Sequence, residues 1–223
     1  MRRRILTCVC AWTIAIAIVN ATDFWETKPF LDWSDKEVEK LLNDSPWAAI
    51  IAVPLPNTGP VPSIESSGGG RGGGEGRGES FGPGPRRVKI TISWRSAIPL
   101  KQAVVRQQAG QHGTVSPDAQ AILAKEDEYY VVGIQGLPPQ LTMAGTGKTI
   151  DAFLRRDGKP AIPAQQAGVQ MMRGGSLLMI GFPRTDPITV DDGDVELDVK
   201  LGDLHIKKKF KLKELVFAGK LAL

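Results

Sequence analysis

The stretch that decides the fold is DVELDVKLGDLHIKKKFK, residues 194–211. Polar and apolar residues alternate on both sides of Gly202-Asp203, which predicts two antiparallel strands joined by a two-residue turn with glycine at a positive φ. Centring the turn on that pair brings acids opposite lysines and apolar residues opposite one another. The facing pairs are Asp198 with Lys207, Glu196 with Lys209, Asp194 with Lys211, Val199 with Ile206, and Val195 with Phe210. A slip of one residue would break all of these pairs, so the pattern predicts a single register.

Other strands are predicted on both sides of this hairpin along the chain. Period-two alternation on 88–94 indicates a strand with one buried face, and the apolar run 48–53 is consistent with a buried strand. Asp157-Gly158 is typical of a two-residue hairpin turn. The remaining predicted strands are 129–135, 149–156, 159–163 and 176–182.

Three short helices are predicted from their start and stop signals. Ser34 and Glu37 form a capping box, reinforced by a hydrophobic staple between Trp33 and Val38, and the helix ends before Pro46. The other two run from Pro99 to about Ala109, and from Pro117, capped by Ser116, to about Lys125. The predicted fold class is therefore α+β: mainly an antiparallel sheet or sandwich, with a few short helices and an N-terminal helical segment.

The first 21 residues, MRRRILTCVCAWTIAIAIVNA, have the features of a secretory signal peptide. Three arginines precede the apolar run 5–19, which is shorter than the roughly 20 residues of a spanning helix. We expect cleavage between Ala21 and Thr22; the alternative is that the segment stays uncut and anchors the protein. Removing Arg2–Arg4 lowers the 28 lysines and arginines to 25, against 24 acidic residues. A nearly neutral mature chain gives no reason to expect nucleic-acid binding.

The chain has two cysteines, Cys8 and Cys10, and both lie in the leader. The mature protein is therefore predicted to have no disulfides. The chain then divides into 22–53, an aromatic-rich helical segment; 54–86, a flexible Pro/Gly-rich linker; and 87–223, a β-rich domain. Arginines among the linker glycines are similar to RNA-binding RGG segments, but a tether is the favoured interpretation.

Aromatic residues are concentrated in the N-terminal segment. One interpretation is an exposed recognition surface, and the other is that they pack this segment into the β-rich domain. The second is favoured because tryptophan is usually buried. The residues concerned are Phe24, Trp25, Phe30, Trp33 and Trp47.

Three motifs suggest ligands but fit other roles better. Gly145–Thr149, GTGKT, lacks the earlier glycine of a phosphate-binding loop, because Thr142 occupies that position. The lysines of 207–213 suit a polyanion, yet the predicted acid–lysine ladder neutralises most of that charge. Residues 191–194, DDGD, resemble part of a calcium loop without its distal glutamate. We therefore predict no cofactor and no metal.

No catalytic residue is predicted, and enzymatic activity is left open with the balance against it. His112 and His205 are the only histidines, and the sequence has no GxSxG or HExxH motif. A pair of carboxylates could still act as acid and base, and Glu126–Glu128 is one acidic cluster. The alternative function is therefore a carboxylate-dependent extracytoplasmic hydrolase.

Several short motifs resemble those of a group of uncharacterised exported bacterial proteins. The resemblance covers most of the mature chain except the linker. It implies bacterial export to the periplasm or exterior, and brings no known activity, ligand or catalytic residue. The expected function is a non-enzymatic binding or structural role, with an envelope protein or glycan as a possible partner and only transient membrane contact through the leader. The motifs are Phe24–Pro29, Trp33-Ser34, Ser45–Ala48, Trp94–Ala97, Phe182–Arg184, Phe210–Leu212 and Gly219–Leu221.

Overall fold

The computed structural model describes residues 23–55, 87–144, 151–172 and 175–223. The predicted signal peptide, nearly all of the predicted linker and the GTGKT motif lie outside these ranges. Within them the fold is α+β with mainly antiparallel sheets and a few short helices, as the sequence predicts.

The elements follow one another from a short N-terminal helix to a C-terminal hairpin. The helices are α1 (Phe24–Thr27), α2 (Asp35–Asn43), α3 (Ile98–Ala109), α4 (Pro117–Ala124) and α5 (Pro139–Ala144). The strands are β1 (Ala48–Pro54), β2 (Arg87–Trp94), β3 (Tyr129–Gln135), β4 (Asp151–Arg156), β5 (Ile162–Pro163), β6 (Gln166–Met172), β7 (Gly175–Pro183), β8 (Asp194–Leu201), β9 (Leu204–Lys211), β10 (Val216–Phe217) and β11 (Lys220–Leu221). Short 3-10 turns occupy Phe30–Asp32, Val190–Asp192 and Leu212–Glu214.

Two antiparallel sheets pack face to face around one core. The first has the strand order β1-β2-β3-β7-β6 and the second β5-β4-β8-β9; β10 and β11 form a separate hairpin. Apolar side chains of both sheets belong to the same buried cluster. Trp94 of the first sheet meets Phe210 of the second edge-on, with ring centroids 5.5 Å apart. The inner faces of the two sheets therefore bury each other, as in a sandwich.

The β8–β9 hairpin has the register that the alternation of charges predicts. Val195 lies opposite Phe210 and Val199 opposite Ile206, with Gly202 at a φ of 59° in the turn. Two of the ion pairs are diagonal, however. Lys207 lies 3.9 Å (N–O) from Asp198, its direct partner, but also 3.7 Å from Glu196, and Lys209 lies 3.8 Å from Asp194. Lys211 pairs with Glu214 at 3.0 Å instead of Asp194. The twist of the strands brings long lysine side chains within reach of diagonal neighbours.

The predicted helices form where their end signals place them. Ser34 and Glu37 make the complete capping box of α2. Ser116 accepts a hydrogen bond from the Ala119 N–H at the start of α4, and α3 ends at Ala109. Local side-chain chemistry was sufficient to locate these elements.

The structure differs from the sequence analysis at one predicted strand, adds another strand and shows where β1 lies. The strand predicted at 159–163 contains only Ile162 and Pro163, with Ile162 opposite Leu154, so the connection is longer than the two-residue turn at Asp157-Gly158. Strand β6 was not predicted, because almost all of its residues are exposed and it lacks the alternation of a half-buried strand. Strand β1 pairs with β2 along its whole length, so the segment 22–53 supplies an edge of the same sheet as the domain 87–223.

Candidate ligand-binding site

The tryptophans of the N-terminal segment are buried, so the prediction of an exposed recognition surface is wrong for them. Trp33 and Trp47 are fully buried and Trp25 is nearly so, whereas Phe24 and Phe30 are half-buried against the same cluster. Trp47 donates its indole N–H to the Ala222 carbonyl at 2.8 Å. The favoured interpretation, that these rings pack the segment into the β-rich domain, is confirmed.

Each histidine is paired with a carboxylate. His205 Nε2 lies 2.5 Å from Asp198 Oδ1, and Arg155 Nε donates to the other oxygen of Asp198 at 2.9 Å. Burial raises the pKa of Asp198, but hydrogen bonds from His205 and Arg155 outweigh it and hold the pKa below its ordinary value. His112 lies on the surface, 3.2 Å from Asp32. These contacts describe charge pairing on the surface of the fold.

A polar cleft of about 590 Å³ lies over the ends of β4, β8 and β9. It contains the DDGD segment, in which Asp192 contacts Lys159 at 2.6 Å, Arg156 at 3.6 Å and the Thr189 N–H at 2.9 Å. Burial raises the pKa of Asp192, but the hydrogen bonds from Lys159 and Thr189 and the charges of Lys159 and Arg156 leave it below its ordinary value. A general acid at neutral pH needs the opposite shift.

The cleft therefore neutralises its own charges. The Arg156 side chain has no exposed surface and bonds Asp186 as well as Asp192. Asp194 and Glu196, which also line the cleft, lie beside Lys209 and Lys207. Asp192 of the calcium-like motif is thus part of a buried ion cluster, and the acid–lysine ladder, with Asp194, forms one wall.

A second cavity, of about 540 Å³, has a different chemistry, and we call it the Arg184 pocket. Its walls come from α3, α4, the segment after β7 and the β10–β11 hairpin. Apolar and cationic side chains dominate the lining: Ile98, Lys101, Leu123, Arg184, Phe217 and Lys220 are six of its members. The hairpin forming one wall turns at Ala218 and Gly219, both at positive φ (48° and 76°), an arrangement typical of a tight two-residue turn.

Arg184 is held in a fixed position in this pocket. Its guanidinium carbon lies 4.3 Å from the centre of the Tyr130 ring, and its Nη2 donates to the Leu223 carbonyl. The Tyr130 hydroxyl is itself fixed by the Ile188 N–H at 2.8 Å. No Asp or Glu side chain of the described residues forms an ion pair with Arg184, whose acceptor is the oxygen of Leu223 at the end of the given chain.

Sequence reasoning did not predict this pocket. Arg184 appears in the quoted Phe182–Arg184 motif, but nothing in its spacing marks a site. Lys101 donates to Asp127 at 2.6 Å, so one member of the Glu126–Glu128 cluster serves as a structural counter-ion at the pocket wall. The remaining lining residues come from distant parts of the chain.

Comparison with known proteins adds no family to this description: no family model, curated protein or solved structure matches the chain. Among the described residues, no helix is long and apolar enough to cross a membrane. The same residues contain no group of three or more His, Cys, Asp or Glu side chains suited to a metal ion. The described residues form a two-sheet α+β protein that has a polar, largely self-neutralised cleft and a more apolar pocket.

Proposed function

We propose that this chain is an exported, non-enzymatic binding protein of the cell envelope or exterior. The observation that carries the proposal is the difference between the two cavities. Most charged groups in the polar cleft pair with one another, whereas the Arg184 pocket combines half-buried apolar side chains with a few polar and cationic groups. Pockets of this size, mostly apolar with a few placed polar groups, are typical of ligand-binding sites.

Export is supported by the sequence of the leader. Its three arginines, short apolar run and small residues up to Ala21 are the three parts of a secretory signal. The absence of cysteine after residue 21 is compatible with an oxidising compartment, because the two packed sheets supply a core that does not depend on disulfides.

Expression of the full-length chain with its own leader, followed by fractionation and intact-mass measurement, tests the location. We expect a product in the extracytoplasmic fraction that begins at or near Thr22. A membrane-bound product retaining residues 1–21 would replace export with anchoring. A cytosolic product of full mass would refute the proposed location.

A hydrolase screen on the purified product tests the non-enzymatic role. The carboxylates to change are Asp194 and Glu196, because they line the polar cleft and are less buried than Asp192. We expect no turnover above background with glycan, ester or peptide substrates. Turnover that disappears in Glu196→Gln or Asp194→Asn, with the fold intact, would establish the hydrolase instead.

A further inference from the structure

We propose that two copies of this chain associate through strand β6, edge to edge and antiparallel, so that their five-stranded sheets join into one. The inference goes beyond the proposed binding function and does not depend on it. Three observations carry it: a sheet edge without charge, an apolar row on that edge that the second sheet leaves exposed, and a strand sequence that is complementary to itself.

Strand β6 is the outermost strand of the five-stranded sheet. Among the described residues its one sheet neighbour is β7. An antiparallel strand with a single neighbour directs the N–H and C=O groups of alternate residues away from that neighbour. The seven residues of β6, QAGVQMM, include no proline and no charged side chain. The main chain of β6 is therefore suited to accept another strand along its length.

The other edges of the two large sheets are less suited to pairing. Strand β9 carries lysines at 207–209 and 211, and lysines oppose the pairing of exposed edges. Strand β5 has two residues, of which Pro163 has no N–H. In β1, Ala48 exchanges two hydrogen bonds with Ser45, and Pro54 at the other end lacks a donor. Among these edges, β6 is the one that neither charge, length nor proline protects.

One face of β6 carries an apolar row that is left partly exposed. Ala167 and Val169 lie opposite Ile180 and Leu178, which are fully buried, so this row is on the core side of the sheet. The second sheet packs against β7 through β4 and β5. Val169 is half-buried, and Met171, on the same side of β6, is 77% exposed. A strand added to β6 would continue this face and cover Met171.

The sequence of β6 favours a second copy as that strand. Centring an antiparallel pairing on Val169 sets this residue opposite its own copy and Met171 opposite Ala167, so the apolar rows of the two copies meet. On the other face Gln170 lies opposite Gly168, where a Cβ would meet no atom within 4 Å. No pair in this register sets like charges against each other. Contact about a two-fold axis requires this kind of self-complementarity.

The contact is small, so we expect a reversible dimer. Seven residues of strand extend over about 23 Å. Pairing along one such edge buries less than the roughly 1,600 Å² of a standard stable interface. Sedimentation velocity of the purified product of the full-length chain should therefore show a mass that rises with concentration from one chain to two. The mass of one chain at every concentration up to about 1 mM would overturn the proposal.

Two lysine substitutions locate the contact. Gln170→Lys and Ile50→Lys each place a lysine at an exposed position on an edge strand of the same sheet, β6 and β1 respectively. In the dimer the two copies of residue 170 are diagonal neighbours, so like charges would repel there. We expect Gln170→Lys to weaken association at least tenfold and Ile50→Lys to leave it unchanged. Full association of Gln170→Lys, or equal weakening by both variants, would refute the assignment to β6.

Disulfide cross-linking tests the register without relying on a loss of association. Cys8→Ser and Cys10→Ser first remove the two cysteines of the leader. Ala167→Cys and Met171→Cys are then made in separate chains, one of them carrying an affinity tag, which are mixed and oxidised. The register brings position 167 of one copy opposite position 171 of the other, within the distance of about 7 Å that a disulfide can span. Identical positions would lie about 13 Å apart.

We expect mixed disulfide dimers in large excess over dimers of either variant alone. Equal amounts of the three products would indicate random collision and would overturn the proposed register. Absence of any cross-link would overturn the proposal itself. Neither result bears on the proposed location, which the leader experiment measures separately.

Discussion

The outer faces of the two sheets, those turned away from the other sheet, carry different kinds of side chain. The four-stranded sheet covers its outer face with charges that pair with one another: Asp194, Glu196, Asp198, Arg155, Lys207 and Lys209. The middle of the five-stranded sheet carries small or uncharged residues at the corresponding positions, and Ser93 and Leu177 among them are buried: Thr91, Ser93, Val131, Gly133, Leu177 and Met179.

Arg95 lies across the middle of this face. A Cβ built on Gly133 would lie 2.8 Å from the Arg95 side chain, so the absence of a side chain at Gly133 makes room for Arg95. Burial alone lowers the pKa of Arg95. Opposed charges specify the strand register of the four-stranded sheet, whereas the middle of the five-stranded sheet, where charges are few, relies on packing against its neighbours.

The largest effect on stability is expected at Arg156, a buried charged residue of the four-stranded sheet. Replacing Arg156 by methionine would leave Asp192, whose side chain is 3% exposed, without one of its two cations. We expect the free energy of unfolding, measured in urea, to fall by about 3 kcal/mol. Lys211→Met removes a lysine of the same sheet whose partner, Glu214, is exposed, and should cost less than about 1 kcal/mol. Equal costs would contradict the distinction between inner and outer charges.

The second largest effect is expected at acid pH, which should lower the free energy of unfolding through the carboxylates of the four-stranded sheet. Hydrogen bonds from basic partners outweigh burial and lower the pKa values of Asp192 and Asp198 in the folded protein. Their stabilising contribution is therefore complete above the unfolded pKa of about 4 and is lost as the pH falls through the folded values. Urea titrations from pH 7 to pH 2.5 should show a loss of stability below about pH 4.

Asp192→Asn should reduce this loss, and Asp191→Asn, an exposed neighbour, should leave it unchanged. Stability that increases between pH 4 and pH 3 would refute the assignment of these carboxylates as stabilising anions.

A charge exchange on the ladder tests the strand register with a smaller effect. Lys209→Glu places an acid beside Asp194 and should cost about 1 kcal/mol. Adding Asp194→Lys restores the opposite charges. The double variant should therefore lose less free energy of unfolding than the two single variants lose in sum. Additive effects in the double-mutant cycle would show that the two side chains do not interact.

The smallest effect on stability is expected on the outer face of the five-stranded sheet, at its edge strand β1. Ile50 is 54% exposed on the edge strand β1, so Ile50→Lys should change the free energy of unfolding by less than about 0.5 kcal/mol. The next residue, Ile51, turns inward and packs against the core, so Ile51→Lys should cost more. A larger cost at Ile50 would show that this face is covered in the folded protein.

The parts of the fold that sequence could predict are those whose signals lie within a few residues. The capping box at Ser34 and Glu37 and the alternation in β8 and β9 each report on local geometry. Strand β6 carries no such signal, because exposure on both faces removes the pattern. The diagonal contacts of Lys207 and Lys209 depend on twist, which the sequence does not encode residue by residue.

The Arg184 pocket lay beyond sequence reasoning for a related reason. Its lining combines Ile98, Leu123, Arg184 and Phe217, which are far apart in the chain and share no motif. Only the packing of α3, α4 and the last hairpin brings them together. The buried tryptophans were easier to interpret, because a large apolar ring favours burial in almost any fold.

The pairing of Pro54 with Arg87 has a practical consequence for engineering. The chain leaves the first sheet at one of these residues and re-enters at its direct partner, so the two ends of the intervening sequence are fixed next to each other by the fold. The entropy of closing such a connection grows only with the logarithm of its length. An affinity tag or a second protein inserted between them should therefore be accepted at little thermodynamic cost, which makes this junction a natural attachment point.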